Sequence, residues 1–233
     1  TRYYATSPVC TPSRASFVTG LYPQNTGCIT NDLPMTDGLE TFAEALRKRG
    51  YATSYAGKWH LDGEGKPQWG PGRHFGFEDN RYMFNRGHWK KLAETADGPE
   101  VAAVDAKGKP NYAVDGADGK SFTTDFLSDR ASGLIRAAKG RPFCHMLSIP
   151  DPHGPNTVRA PYDAQYRELK FQVPVSALGK DVATKHMAQY FGMVKCIDDN
   201  VGKILNALRA EGILEKTVIV FTSDHGDLCG EHA

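Results

Sequence analysis

The sequence predicts an α/β fold with a largely parallel sheet covered by helices. Two observations carry this. Segments with helical spacing alternate with short β-prone runs along the chain, and Thr217 to Thr222 (TVIVFT) is a continuous apolar, β-branched run of the kind found in central parallel strands. Composition agrees. The 233 residues are 40% hydrophobic and 24% charged, ordinary values for a globular protein. With 28 Lys+Arg against 27 Asp+Glu the net charge is +1, so no electrostatic footprint marks nucleic acid or an anionic membrane as a partner. No apolar stretch approaches the roughly 18–20 residues of a membrane span. The five cysteines are an odd number, widely spaced, with no CxxC and no zinc-type Cys/His spacing.

The elements follow in order. Thr11 as N-cap and Pro12 at the first helical position predict a short helix over 12–19 that stops at Gly20. Leu39 to Lys48 has apolar residues at helical spacing and ends at Gly50. Tyr51 to Ala56 reads as a strand. Residues 61–120 show no sustained period, and 103–120 reads as a mobile surface insertion. Phe122 to Lys139 reads as a helix, Pro142 to Ile149 as a buried strand, and Thr184 to Ala210 as a long amphipathic helix. No repeat, linker or second core is evident, so a single domain over 1–233 is expected.

Chemistry-bearing residues gather where three predicted strands end, the usual place for sites in open α/β sheets. They are Gly57-Lys58-Trp59-His60, Pro150-Asp151-Pro152-His153 and Ser223-Asp224-His225-Gly226-Asp227. A fourth cluster, Cys10-Thr11-Pro12-Ser13-Arg14, sits at a predicted helix N-terminus, where unpaired N–H groups and the helix dipole suit a tetrahedral anion. Each cluster alone has a bland reading: a structural cysteine, a solvated Lys/His loop, a capped turn. Together they supply a nucleophile, cations, an imidazole and a carboxylate pair, a set suited to moving a charged phosphoryl-like or sulfuryl-like group.

These residues resemble the type I sulfatases. Cys10-Thr11-Pro12-Ser13-Arg14, running on to Thr19-Gly20, is similar to the C-x-P-S-R signature. Gly57-Lys58-Trp59-His60-Leu61 is similar to the second block. Ser223-Asp224-His225-Gly226-Asp227 with Gly230-Glu231-His232 is similar to the last block, and Pro152-His153 fits the element between. The resemblance runs through the chain in family order and implies an alkaline-phosphatase-like sandwich. It implies that a modifying enzyme converts Cys10 to Cα-formylglycine, whose hydrate acts as nucleophile and metal ligand. It implies that Arg14 holds the hydrate, Lys58 binds a sulfate oxygen, His60 assists elimination, and His153 contacts the ester oxygen as acid for the leaving alcohol. Asp224 and His225 fall at metal-ligand positions for Ca²⁺, with Mg²⁺ as the alternative.

The implied reaction is sulfate ester hydrolysis, with a sulfated saccharide as one substrate class. A phosphonate monoester or phosphodiester hydrolase of the same superfamily and a non-catalytic fragment are the alternatives. The aromatics and cations at Trp69, Arg73, His74, Arg86, His88 and Trp89 read equally as the lining of a sugar pocket or as a surface loop with stray aromatics, and Asn156 and Arg159 further on are a second candidate for holding a sugar. The family's paired Asp does not precede Cys10, and its downstream basic residue does not follow Gly230-Glu231-His232. The expectation is therefore a partial catalytic domain, incomplete at both termini, with weak metal binding and little activity on its own.

Overall fold

A three-stranded parallel sheet of order β2-β1-β5 positions most of the chemistry, with β1 (Ala52–Lys58) at its centre between β2 (Asp79–Phe84) and β5 (Phe143–Ser148). The computed structural model describes residues 4–172 and 186–229. These fall into two compact units. The first comprises Thr1–Gly87, Asp129–Ser148 and Leu205–Gly226, and the second His88–Ser128, Ile149–Ile204 and Asp227–Ala233.

In the first unit, helix α1 (Cys10–Thr19) ends as its sequence dictates. Gly20 takes the left-handed conformation (φ 71°), and its N–H donates to Ser16 O at 2.8 Å. Its start differs from expectation. Val9 is the N-cap and Cys10 itself opens the helix, because the Thr11 hydroxyl donates to His60 O (2.9 Å) instead of capping. Helix α2 (Phe42–Arg47) is capped by Thr41, whose hydroxyl accepts from Glu44 N–H at 3.1 Å. Ala15, Val18, Cys28, Met35, Ala43, Tyr55, Trp59, Leu61, Phe77 and Met83 form one core, stiffened by edge-to-face contacts of Tyr55 with Trp59 and Phe77.

In the second unit, β3 (Leu92–Thr95) and β4 (Gly98–Val101) pair antiparallel. The start of α3 (Thr123–Ala137), the short α4 (Tyr162–Gln165) and the first turns of α5 (Met187–Ala210) surround a core of Phe122, Val158, Met193 and Cys196. Two buried carboxylates anchor it. Asp125 accepts from Arg159 at 2.7 and 2.8 Å and from Asn200 and Lys203 at 3.1 Å. Asp151 accepts from Lys90 at 2.5 Å and from the Thr124 hydroxyl at 2.7 Å. Of the predicted mobile insertion, the bridge between Val104 and Pro110 is the one piece of pairing. The strands of residues 79–101 carry no clear sequence period and were not expected.

The clearest departure is Thr217 to Thr222. It forms no strand, and Val218, Val220 and Phe221 are 90%, 74% and 76% exposed. A β-branched run is a strand only where a neighbour takes its N–H and C=O groups and a surface covers its side chains. Among the described residues no strand pairs with it. Of the expected long helix, Thr184 and Lys185 lie outside the described residues, as do Gly230, Glu231 and His232 of the last motif.

Two predictions test this account. Gly57 has φ +110°, and a Cβ there would fall inside the Ser148 carbonyl of β5. Gly57→Ala is therefore expected to destabilise the protein by about 2–4 kcal/mol or to prevent folding; a wild-type denaturation midpoint would refute the packing of β1 on β5. His145 hydrogen-bonds through Nδ1 to Ser54 Oγ at 2.8 Å, and burial lowers its pKa to about 4. An edge of the residue is partly exposed, but Nε2 is buried without a partner among the described residues. The folded value lies below the unfolded value near 6.5, so the fold excludes the proton. Stability is full above about pH 6.5 and falls as pH drops toward 4, by at most about 3 kcal/mol. Urea midpoints at neutral and mildly acid pH should show this decline, and His145→Gln should make it shallower, with His60, whose pKa is likewise lowered to about 4, carrying part of what remains.

Candidate active site

Arg14 ties the first unit's elements together. From the second turn of α1, Nη1 donates to Lys58 O at 2.9 Å and to Ser148 Oγ at 2.7 Å, the ends of β1 and β5. Nε forms an ion pair with Asp224 Oδ2 at 2.9 Å. Tyr55, buried on β1, donates its hydroxyl to the same Lys58 carbonyl at 2.6 Å. Ser13 donates to Asp224 O in a very short contact. A turn after the unpaired run 217–222 is thus held against α1 by residues of the C-x-P-S-R stretch.

That turn brings His225 to Cys10. Cys10 Sγ lies 3.0 Å from His225 Nε2, while His225 Nδ1 is 2.7 Å from Gly226 O. A carbonyl accepts, so Nδ1 carries the proton and Nε2 takes the hydrogen bond from the thiol. Burial pushes the Asp224 carboxyl up, but the Arg14 guanidinium and then His225 outweigh it, and the group is held below the usual carboxylate range.

Lys58 and His60 follow from the end of β1. Lys58 is 2% exposed, and burial first, then Arg14, lower its ammonium to a pKa of about 8. His60 is 7% exposed and adopts φ +66°. Burial, then Lys58, lower its pKa to about 4, against the pull of Asp32. Its Nε2 lies 2.8 Å from Asp32 Oδ1, and Arg86 donates to Asp32 Oδ2 at 2.8 Å. Asn31 Oδ1 accepts from the Thr11 N–H at 3.0 Å.

Cys10, Arg14, Lys58, His60, Asp224 and His225 therefore all belong to the first unit and to one chain of contacts. His153 belongs to the second unit. It is exposed, its ring stacks on His88 (centroids 3.6 Å apart, planes 8° from parallel), and its Nδ1 lies 2.8 Å from Gly154 O. Lys90 and Thr124 anchor Asp151 two residues before it.

Asn31, Asp32 and Ser148 had no place in the sequence reading. Asp32 gave one faint signal, since Asn-Asp pairs tolerate the left-handed conformation it takes (φ 69°). Several residues read as a sugar pocket or a surface loop make contacts within the loops. Arg73 bonds Met35 O and pairs with Asp37 and Asp62, and Trp69 packs edge-on against Phe84. Arg86 holds Asp32, and Arg159 holds Asp125.

Donor atoms of Cys10, Asp224 and His225 lie within 4.8 Å of one another. The Asp224 carboxylate suits a hard cation. Imidazole and thiol do not, and Ca²⁺ takes six to eight oxygens. These three donors by themselves do not meet the coordination that Ca²⁺ requires.

The sulfatase family model matches residues 1–233. The chain belongs to the sulfatase family. It is 31% identical over 238 residues to the Ulvan-active sulfatase of Formosa agariphila, covering 99% of this chain and 43% of that protein. It is 29% identical to the mouse N-acetylgalactosamine-6-sulfatase, over 96% of this chain and 42% of that one. The phosphonate monoester hydrolase structure of Agrobacterium radiobacter superposes with a TM-score of 0.74 at 20% identity, over all of this chain and 56% of the other. The fold is alkaline-phosphatase-like, a parallel sheet with helices. This sulfatase chain spans about half the length of the relatives it matches. Among its described residues no helix is long and apolar enough to cross a membrane.

Arg14 serves three groups in different directions, which a lysine cannot do. Arg14→Lys is expected to cost about 1–3 kcal/mol, with Ser148→Ala milder. Denaturation midpoints of both variants check this, and an unchanged Arg14→Lys midpoint would show that Arg14 does not hold α1 to the strand ends.

Proposed function

We propose that this sulfatase hydrolyses sulfate esters of a saccharide, with residue 10 as the nucleophile position. The observation that carries the proposal is the meeting of the C-x-P-S-R cysteine with Asp224, His225 and Arg14. A signature residue at a helix N-terminus, a carboxylate with its guanidinium partner, and an imidazole within hydrogen-bond reach form a site for an anionic ester. The sulfated-saccharide class is supported by the names of the relatives, an Ulvan-active sulfatase and an N-acetylgalactosamine-6-sulfatase.

Converted to Cα-formylglycine by a modifying enzyme, residue 10 supplies a hydrated carbonyl, a hydroxyl nucleophile that regenerates itself by elimination. Arg14 offsets negative charge at that position. Lys58, buried and cationic below about pH 8, binds a sulfate oxygen. His60, neutral at neutral pH, takes up a hydroxyl proton during elimination. Residue 10, Asp224 and His225 contribute to the site of a divalent cation, Ca²⁺ or Mg²⁺, whose charge would offset that of the sulfate; its further oxygen donors come from beyond these three.

The test uses the natural-length protein made with a formylglycine-generating enzyme. Intact mass is expected to show Cys10 converted, aryl sulfate to be hydrolysed faster than aryl phosphonate, and Cys10→Ala to abolish turnover. A faster phosphonate reaction would move the assignment to phosphonate monoester or phosphodiester hydrolysis. An unmodified, inactive protein from its native host would make it a non-catalytic relative.

A further inference from the structure

We propose that Asp32 is the positioning residue of His60: it fixes the imidazole as the Nε2–H tautomer and so leaves Nδ1 as the proton acceptor of the site. The inference rests on the sulfate ester reading for its catalytic meaning, but not for its geometry.

His60 has two ring nitrogens in different surroundings. Nε2 meets Asp32 Oδ1 at 2.8 Å, and a carboxylate can only accept, so Nε2 carries the hydrogen. Nδ1 is buried and has no hydrogen-bond partner among the described residues. Leaving a buried acceptor unmatched is costly, and such sites are kept where a ligand or substrate supplies the missing donor. The backbone that carries the ring is itself held in place. Its backbone carbonyl accepts from the hydroxyl of Thr11, next to Cys10, and the Thr11 N–H is held by Asn31, next to Asp32. The start of the nucleophile helix, the loop 31–32 and the end of β1 are closed into one ring of contacts. Asp32 and His60 both hold the left-handed backbone region (φ 69° and 66°), which costs non-glycine residues energy and persists where the surroundings impose it.

Arg86 decides why this must be a carboxylate. Asp32 accepts from His60 on Oδ1 and from Arg86 on Oδ2, both at 2.8 Å. An asparagine would have one acceptor and one donor. The guanidinium, charged and donor-only, would claim the amide oxygen. The NH₂ would then face Nε2 and force the opposite tautomer, with the hydrogen on Nδ1. In the reaction, an O–H bond at residue 10 breaks as an N–H bond forms at Nδ1. The ring becomes cationic, with Asp32 at its far side to offset the charge and Lys58 and Arg14 opposing it.

The natural-length, formylglycine-bearing protein is the test object. Nitrogen-15 NMR of labelled histidine is expected to show His60 protonated at Nε2 and bare at Nδ1. Asp32→Asn should shift the hydrogen to Nδ1, lower kcat on an aryl sulfate about 100-fold or more, and leave KM within about threefold. Asp32→Asn combined with Arg86→Met frees the amide oxygen for Nε2 and should recover both tautomer and rate. Asp32→Glu should keep the tautomer. A wild-type ring protonated at Nδ1, or Asp32→Asn with unchanged kcat and tautomer, overturns the proposal. If Asp32→Asn does not fold, the wild-type tautomer and Asp32→Glu decide. A wild-type protein with the Nε2–H tautomer and no sulfate ester turnover would overturn the reaction assignment while leaving the positioning role intact.

Discussion

The site hangs on the attachment of one short helix to the ends of two parallel strands. Alone, α1 is a weak element: ten residues, no side-chain cap, and small polar residues on its buried face. Arg14 gives it a fixed position by donating to the Lys58 carbonyl and the Ser148 hydroxyl while pairing with Asp224. Thr11 adds a second attachment at His60. Because the anchors are β1 and β5 termini, residue 10 is held at the carboxyl edge of the sheet, with Lys58 and His60 arriving from the same edge. In this protein, fold stability and site geometry share the same few hydrogen bonds.

Charge is arranged differently in the two units. Lys58 and Arg14 crowd one buried volume, and their repulsion combines with burial to weaken the Lys58 ammonium. That repulsion is partly offset by Asp224 and Asp32. His60, kept neutral by burial and by Lys58, is prepared to accept a proton rather than to lose one. The second unit uses charge differently. Asp125 and Asp151 are saturated with Arg159, Asn200, Lys203, Lys90 and Thr124, so their role is to fix loops. One product of that fixing is the His88–His153 stack.

Motifs read in the sequence named most of the residues that the first unit brings together, since contiguous blocks such as Gly57-Lys58-Trp59-His60 place several polar side chains at one strand end. What they could not show is partner choice. Arg86, in a segment that read as either a pocket or a loop, donates to Asp32, and Arg73 likewise serves loop carboxylates and a carbonyl. A cation's commitment depends on which acceptors folding brings within 3 Å, and those lie far away in sequence. Thr217–Thr222 shows the same limit for secondary structure. Its residues favour a strand, but pairing is a property of two segments, and propensity describes one.

The sequence by itself determined the α/β class, the helix stop at Gly20, a helix ending before Gly50, the strands β1 and β5, and the family blocks. All of these rest on local chemistry within a few residues. Tertiary structure alone decided that Cys10 opens its helix, that His225 reaches the thiol, and that Asp32 with φ +69° grips His60. Those facts depend on contacts spanning up to 215 positions, whose geometry exists only once the sheet has brought its strand ends together.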